Sequence, residues 1–509
     1  MESYPWWTKE QKAFAEEVSA FAREVWAEDV ETRWTREFPF YIFDRIGERR
    51  ITGAAIPKEY GGLGLGATGG CIAAEAMGRM PGVGRVFVGN MLGGLRQIIE
   101  HGTEEQKRRF LPRIVKGEIG AIVITEPFAG TDAASIQTTA RREGDVYLLN
   151  GKKRFIVSAG VAGRYMVYAR TSSKPEDITS YCHLTAFVVE RGTPGFTVEK
   201  INEVMGFNNI QNGVLDFHDA PVPAANMIGK EGDGWRVMTV GLNFERTLIC
   251  ALVSGWIGEL LRNVVPHAQR RVQFGHPTID IPENQFKIAD LIITKNMARL
   301  ATYNTAYLWD LGADITVESN VSKVFCCEAA VEASLDAIQV IGGDAVTPFY
   351  PLVEIMNQSK VEHMGGGTME ACRLVIFRSG VRRMAGELRM ERRSIHPVLG
   401  VPVPDVGEAR KEKGIDEEKL LVLLAEDYRV NPGIFMGRED ILERFDADGA
   451  ALDNALVALE DKGFVKLYRT RKGIELAKAT YEGLDRAHPP EYYRWFPGWI
   501  KDEERERKF

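Results

Sequence analysis

The sequence predicts an α+β multidomain protein: a helical N-terminal domain, a strand-rich middle domain, a second helical domain and a small winged-helix-like unit after it. Three observations carry this. Apolar residues recur at helical spacing from Thr8 to about Val115, as in Phe14, Val18, Phe21 and Val25. From about Ile122 to Pro223 short β-type runs (YLLNG, RYMVYAR, LTAFVVE, GVLDFHD) are separated by Gly, Asp, Asn and Pro. Helical periodicity returns from about Gly232 to Met384, before a linker rich in Pro, Gly and charge (RRSIHPVLGVPVPDVGEARKEKG). The expected boundaries are 1–120, 121–231, 232–384, a linker at 385–414 and an extension with tail at 415–509.

Within the first domain, Glu104–Lys116 reads as a charged helix. GLGATG at 64–69 matches the dinucleotide pattern GxGxxG only formally, because no apolar strand precedes it, and it reads as a flexible loop. In the third domain, Trp235 to Gln273 can form one helix approaching ~55 Å, with Pro266 placed to kink it. The extension shows helical stretches at 416–427, 438–445 and 449–462. A hairpin (FVKLYRTRKG) and a further helix follow. Its candidate recognition helix, DGAALDNALVALEDKG, is acidic, and the hairpin supplies only Arg469, Arg471 and Lys472. That balance disfavours phosphate contacts and favours protein docking. The tail EYYRWFPGWI carries aromatics suited to docking.

Composition narrows the function. With 509 residues, 45% hydrophobic, 27% charged and a net charge of −7, the chain has an enzyme-like balance and no overall basic character for nucleic acid. The N-terminus lacks a basic segment followed by an apolar one, and Thr247–Val264 is interrupted by Gly255, Gly258, Glu259 and Arg262. A buried helix is expected there, and no membrane span. Six cysteines at 71, 182, 250, 326, 327 and 372 show no CxxC spacing. Buried free thiols in the cytoplasm are expected. Lone histidines such as His101 and His363 lack ligand spacing, so no metal site is expected.

Four motifs remain. ITEPFAGTD (124–132) is on its plain reading a hairpin turn; its small residues also allow backbone N–H groups to approach a flavin edge or pyrophosphate. QVIGGDA (339–345) and HMGGGTME (363–370) interrupt helical sequence, either as helix ends or as backbone open to a ligand. NFERTL (243–248) sets Glu245 and Arg246 about 100° apart on an apolar helix, among Phe244, Leu248, Ile249, Leu252 and Val253.

Taken together, residues 8 to 384 resemble the acyl-CoA dehydrogenase family. The matching strings stand in family order: PKEYGGLG (57–64), GTEEQKRRFLP (102–112), TEPFAGTD (125–132), YLLNGKKRFI (147–156), GFTV (195–198), GLNFER (241–246), RVQFG (271–275), QVIGGDA (339–345) and GGTMEACR (366–373). The resemblance implies a C-terminal four-helix bundle and FAD as cofactor. It places Ile124, Thr125, Gly130 and Thr131 along the flavin ring and phosphates, with Phe155 near the isoalloxazine. Arg271 and Phe274 would reach FAD held by a neighbouring subunit, as would Gln339, Gly342 and Gly343, while Thr368 and Glu370 close the pocket. These cross-subunit contacts imply a homodimer or homotetramer.

Departures from the family pattern decide the base. Gly365-Gly366-Gly367-Thr368 stands where many members have Tyr-Glu-Gly-Thr, so the usual glutamate is Gly366. In isovaleryl-type and long-chain-type members the base lies instead before the arginine of GLNFER, which is Glu245. Val157 stands where a Thr often meets flavin N5, with Ser158 or a backbone N–H as substitutes, and Asn357-Gln358 replaces Arg-Asp. Arg85 lies one position from a carboxylate-binding arginine of dicarboxylyl-CoA members, and reads as a surface or structural residue. The implied reaction is α,β-dehydrogenation of an acyl-CoA. Glu245 removes the pro-R α-proton, the β-hydrogen leaves as hydride to flavin N5, and the Gly366 N–H steadies the thioester oxygen. Arg246 and Thr131 are placed beside the substrate, and electrons pass to electron-transfer flavoprotein. Oxygen as acceptor, in an acyl-CoA oxidase, and a flavin-containing nucleic-acid-binding member are the alternatives.

Overall fold

In a computed structural model the chain divides into two compact units, Met1–Gly386 and Glu387–Phe509. The structure describes residues 2–27, 37–206, 208–347, 349–384, 412–430, 434–470 and 473–488. Residues 385–411 of the linker expected at 385–414, Arg471, Lys472 and the aromatic tail at 491–500 lie outside these.

The first unit begins with helices α1 (Lys9–Glu24), α2 (Phe40–Glu48), α3 (Gly66–Met77), α4 (Pro81–Leu92), α5 (Leu95–His101) and α6 (Glu104–Val115). Thr8 and Gln11 close a capping box on α1, as Thr103 and Gln106 do on α6, so each start satisfies donors that the helix itself leaves free. Phe14, Val18, Phe21 and Val25 are all buried, as their spacing predicts. The GLGATG segment corrects the loop reading, since its second half opens α3. Asp310 accepts from the N–H groups of Ala67 (2.6 Å) and Thr68 (3.0 Å), a cap supplied from more than two hundred residues away that the local sequence could not reveal.

The middle region is an eight-stranded sheet of β1 (Gly120–Val123), β2 (Thr139–Glu143), β3 (Val146–Ile156), β4 (Arg164–Arg170), β5 (Leu184–Glu190), β6 (Phe196–Ile201), β7 (Gly213–Pro223) and β8 (Met227–Ile228). Its order is β6-β7-β3-β2-β4-β5-β8, with β1 parallel to β4 off that path. RYMVYAR and LTAFVVE pair antiparallel as β4 and β5. Both are buried on both faces over their first six residues, which explains why they read as continuous apolar runs. β3 shifts register against β7 between Lys153 and Ile156, and Phe155 in that interval has φ +59°.

The helical third region holds α7 (Gly234–Arg270), α8 (Pro282–Asp310), α9 (Thr316–Ile341), α10 (Leu352–Glu362) and α11 (Met369–Met384). The 37-residue α7 includes Pro266 and is the one described helix long and apolar enough to cross a membrane. Its apolar window is 78% buried inside the fold, against α3, α4, α8 and α9. Gly255 and Gly78 permit the closest approach, because a methyl group on Gly255 would overlap the Glu75 carbonyl. Five of the six cysteines are buried and free; Cys182, in a turn, is exposed, against the expectation that all would be buried.

The second unit runs α12 (Glu417–Val430), β9 (Met436–Gly437), α13 (Arg438–Leu442), α14 (Gly449–Asp461), β10 (Val465–Thr470), β11 (Gly473–Ala479) and α15 (Tyr481–Ala487). The helix expected at 438–445 ends earlier, because Phe445–Asp446 pairs with Glu412–Lys413 as a short parallel bridge. β10 and β11 form the expected hairpin, and β9 adds to the other edge of β11. Leu420, Leu424, Leu452 and Leu456 fill a core of its own.

Candidate active site

Glu245 sits about a third of the way along α7 with only 4% of its surface exposed. Among the described residues its carboxylate accepts no hydrogen bond; only burial and the fields of neighbouring charges act on it. Burial pushes its pKa up. Arg85, Arg246 and Lys323 pull the other way, and Glu362 adds to the rise. Three cations and one further carboxylate therefore surround a base candidate held out of water.

Gly366 lies directly over Glu245. Its φ is +64°, and a side chain there would begin 3.4 Å from Glu245 Cγ and 3.6 Å from Arg246 Cγ. Arg246 Nε donates to the Gly366 carbonyl (2.8 Å), and its Nη1 donates to Asn243 Oδ1 (3.0 Å). Lys323, fully buried on α9, donates to the Gly367 carbonyl. The triple-glycine turn is thus clamped by two buried cations through its carbonyls. Thr368 then starts α11, its Oγ1 accepting from Ala371 N (3.3 Å), and Glu370 is exposed in the first turn. One turn before Glu245, a methyl group on Gly241 would overlap Gln97 Nε2.

Arg85 is not on the surface. It is 6% exposed on α4, with Nε 2.6 Å from Oε1 of the fully buried Glu362. Gln358 Nε2 donates to the same carboxylate (2.6 Å), which gives the Asn-Gln departure a structural use. A side chain on Gly89 would meet Val157 Cγ1 at 3.2 Å and Arg85 Nη1 at 3.7 Å, so Val157 borders this charged cluster.

The 124–131 segment forms the turn that its sequence suggests, closed by an isolated bridge between Glu126 and Ala129. Lys153, fully buried on β3, donates to the Ile124 carbonyl (2.9 Å) and Glu126 Oε1 (2.8 Å), and Arg154 N donates to the Thr125 carbonyl (2.9 Å). Burial drops the Lys153 pKa to about 8. This buried pair anchors a loop whose outer residues, Gly130 and Thr131, stay exposed, with nothing within 4 Å of the place of a Gly130 side chain. Phe155 is half exposed in a left-handed conformation, and the buried Ser158 hydroxyl has no hydrogen-bond partner among the described residues. Open backbone, an exposed ring on a strained bulge and an orphaned hydroxyl fit a planar, polar cofactor at this edge of the sheet.

The structure thus brings Glu245, Arg246, Gly366 and Thr368 together, and separately Ile124, Thr125 and Phe155. Arg271 and Phe274 lie elsewhere, on an exposed turn after α7, with Phe274 90% exposed and at φ +52°. Gln339, Gly342 and Gly343 end α9 on the surface, where Gly342 has φ +76° and neither glycine has a neighbour within 4 Å of a would-be side chain. Among the described residues no hydrogen bond joins these five to Glu245. Sequence reasoning missed Lys323, Glu362 and the Lys153–Glu126 pair. Lys323 could have been flagged as a lone cation in an apolar stretch, whereas nothing local marks Glu362.

The acyl-CoA dehydrogenase N-terminal, middle and C-terminal domain families match residues 8–118, 121–220 and 232–381. An acyl-CoA dehydrogenase of Bacillus subtilis (strain 168) is 36% identical over 372 residues, 72% of this chain and 97% of the relative. The mitochondrial isovaleryl-CoA dehydrogenase of Solanum tuberosum is 33% identical over 374 residues, 72% of this chain and 90% of that protein. Among solved structures, butyryl-CoA dehydrogenase from Megasphaera elsdenii superposes with a TM-score of 0.71 at 31% identity, over 75% of this chain and 100% of its own. A chain from the structure of the electron transferring flavoprotein of Acidaminococcus fermentans gives the same values. The protein therefore belongs to the acyl-CoA dehydrogenase family, the flavin-dependent oxidoreductases that dehydrogenate acyl-CoA with FAD.

Proposed function

We propose that Glu245 is the base that removes the acyl α-proton. The observation that carries this is a buried carboxylate with no hydrogen bond among the described residues, lying against a glycine whose missing side chain would stand in van der Waals contact with it. Burial raises its basicity, while Arg85, Arg246 and Lys323 keep the ionised form accessible. The Gly366 N–H, in a turn held by Arg246 and Lys323, would donate to the thioester oxygen as negative charge develops there. FAD, when bound, supplies the acceptor for the β-hydrogen as hydride. Ile124, Thr125, Gly130, Thr131, Phe155 and Val157 would hold it from one side. Arg271, Phe274, Gln339, Gly342 and Gly343, all on open surface, would serve the cofactor of another subunit in a homodimer or homotetramer.

Without a side chain at 366 the cleft above Glu245 is wider, which favours branched, cyclic or bulky acyl groups; the relatives include proteins named isovaleryl-CoA and 2-methylacyl-CoA dehydrogenase. Electron-transfer flavoprotein is the proposed acceptor and the cytoplasm the proposed compartment. The test is anaerobic flavin bleaching across an acyl-CoA panel, with Glu245→Gln beside the unaltered protein. The variant should bleach roughly 10²–10⁴-fold more slowly. Equal rates on the best substrate would remove Glu245 from the mechanism.

A further inference from the structure

A cavity of about 110 Å³ opens where α1, the end of α3, the second half of α7 and α8 meet. Its wall on α7 includes Gly255 and Gly258, ten and thirteen residues beyond Glu245, or roughly 15–20 Å along the helix axis. It is separate from the site already described. Five cations line it against two acids.

The pairings do not exhaust the positive charge. Arg299 is spoken for: its Nε lies 2.8 Å from Glu75 Oε1 and its Nη2 donates to the Glu2 carbonyl (2.7 Å). Glu75 also accepts from the Tyr303 hydroxyl (2.6 Å). Arg262 pairs with Glu259 just outside (3.0 Å). Arg23, Arg79 and Lys295 have no acid partner among the described residues, and the buried Arg79 Nε has no hydrogen-bond acceptor among them.

These three cations line the same space. A side chain on Gly258 would begin 3.7 Å from Lys295 Cε and 3.6 Å from Arg262 Nη1, so the glycine makes the room over which these cations converge. Burial, then the fields of Arg262 and Arg23, depress Arg79 against the pull of Glu259; burial depresses Lys295, and Arg299 and Arg262 reinforce that against the pull of Glu75 and Glu2. Like charges converging in a partly dry cleft repel unless an anion joins them.

We propose that this cavity binds a phosphate-class dianion, with Arg79 and Lys295 as its principal ligands and Arg262 at the rim. Three unmatched cations can take up both charges of a dianion, whereas a simple carboxylate would leave two of them unpaired. A guanidinium beside an ammonium suits the fork and point-charge contacts of a phosphate. The Arg262 side chain, 46% exposed, marks the open side through which the organic part of a phosphomonoester would leave.

The test uses the full-length holoenzyme at constant ionic strength, with chloride exchanged for inorganic phosphate, or for glycerol 3-phosphate in a second arm. Thermal midpoint and ³¹P line width are followed. Phosphate should raise the midpoint saturably. Arg79→Gln and Lys295→Gln should each weaken binding about tenfold or more, given roughly 1.5–3 kcal/mol for a hydrogen bond to a charged group. Dehydrogenation rates should be unchanged in both, and the exposed-surface control Arg141→Gln should retain the shift. Binding in both arms assigns a phosphomonoester site, and binding of inorganic phosphate alone assigns the free ion. A wild-type midpoint indifferent to phosphate, or a shift that survives in both variants, overturns the proposal whether or not the variants fold well.

Discussion

Arg85→Met isolates the charge balance around Glu245. The Arg85 and Glu362 side chains are 7% and 0% exposed, so the pair is screened little by solvent. Removing one partner strands a buried carboxylate, at a cost of about 3–5 kcal/mol, a large share of the roughly 5–15 kcal/mol that holds a typical domain. Arg85→Met/Glu362→Leu removes both charges together and should recover most of the loss. About 1 kcal/mol should persist for the hydrogen bond that Gln358 can no longer make. Urea unfolding at neutral pH across the four proteins of the cycle measures this coupling. The same proteins carry a second readout. Arg85 is the largest charge opposing the burial of Glu245, so its loss moves the acid limb of the kcat profile to higher pH. Removing Glu362 as well, which pushes Glu245 in the opposite sense to Arg85, brings that limb part of the way back. Equal instability of the single and double variants, with a stationary acid limb, would refute the reasoning.

Glu245→Gln should be more stable than the unaltered protein at neutral pH although much slower in flavin bleaching. Because the folded pKa is raised, stability falls as pH rises from the unfolded value through the folded one; calorimetry should therefore show the difference shrinking as pH drops toward about 4. Gly241→Ala drives a methyl group into Gln97 Nε2 and should cost about 1–3 kcal/mol in urea unfolding; an unchanged midpoint would mean that Gln97 moves freely. Asp310→Ala leaves the first N–H groups of α3 uncapped, and a loss of about 0.5–2 kcal/mol is expected by the same measurement. Lys153→Met leaves Glu126 buried without its ion partner, so FAD titration of the apoprotein should show weakened binding if the 124–131 turn holds the cofactor.

What the sequence revealed, and what it hid, follows from the range of the interactions. Periodicity located α7 and the β4–β5 pair because their residues are buried on nearly every side, and burial is written locally as unbroken apolar runs. The base candidate was legible for a different reason: Glu245 and Gly366 are a complementary pair of departures, separately ambiguous, that the fold sets one against the other. The groups that tune this site were not legible. Arg85, Lys323 and Glu362 come from three helices distant in sequence, and each alone resembles an ordinary surface charge. GLGATG failed in the same way, because the carboxylate that makes it a helix start belongs to Asp310. Buried charge is expensive unless it is paired. The partners needed to make that chemistry affordable are therefore recruited wherever the fold brings them close, and proximity in space leaves no periodic mark on the chain. A base candidate can thus be proposed from two segments read together, while the charges that would set its basicity are identified only by the assembled core.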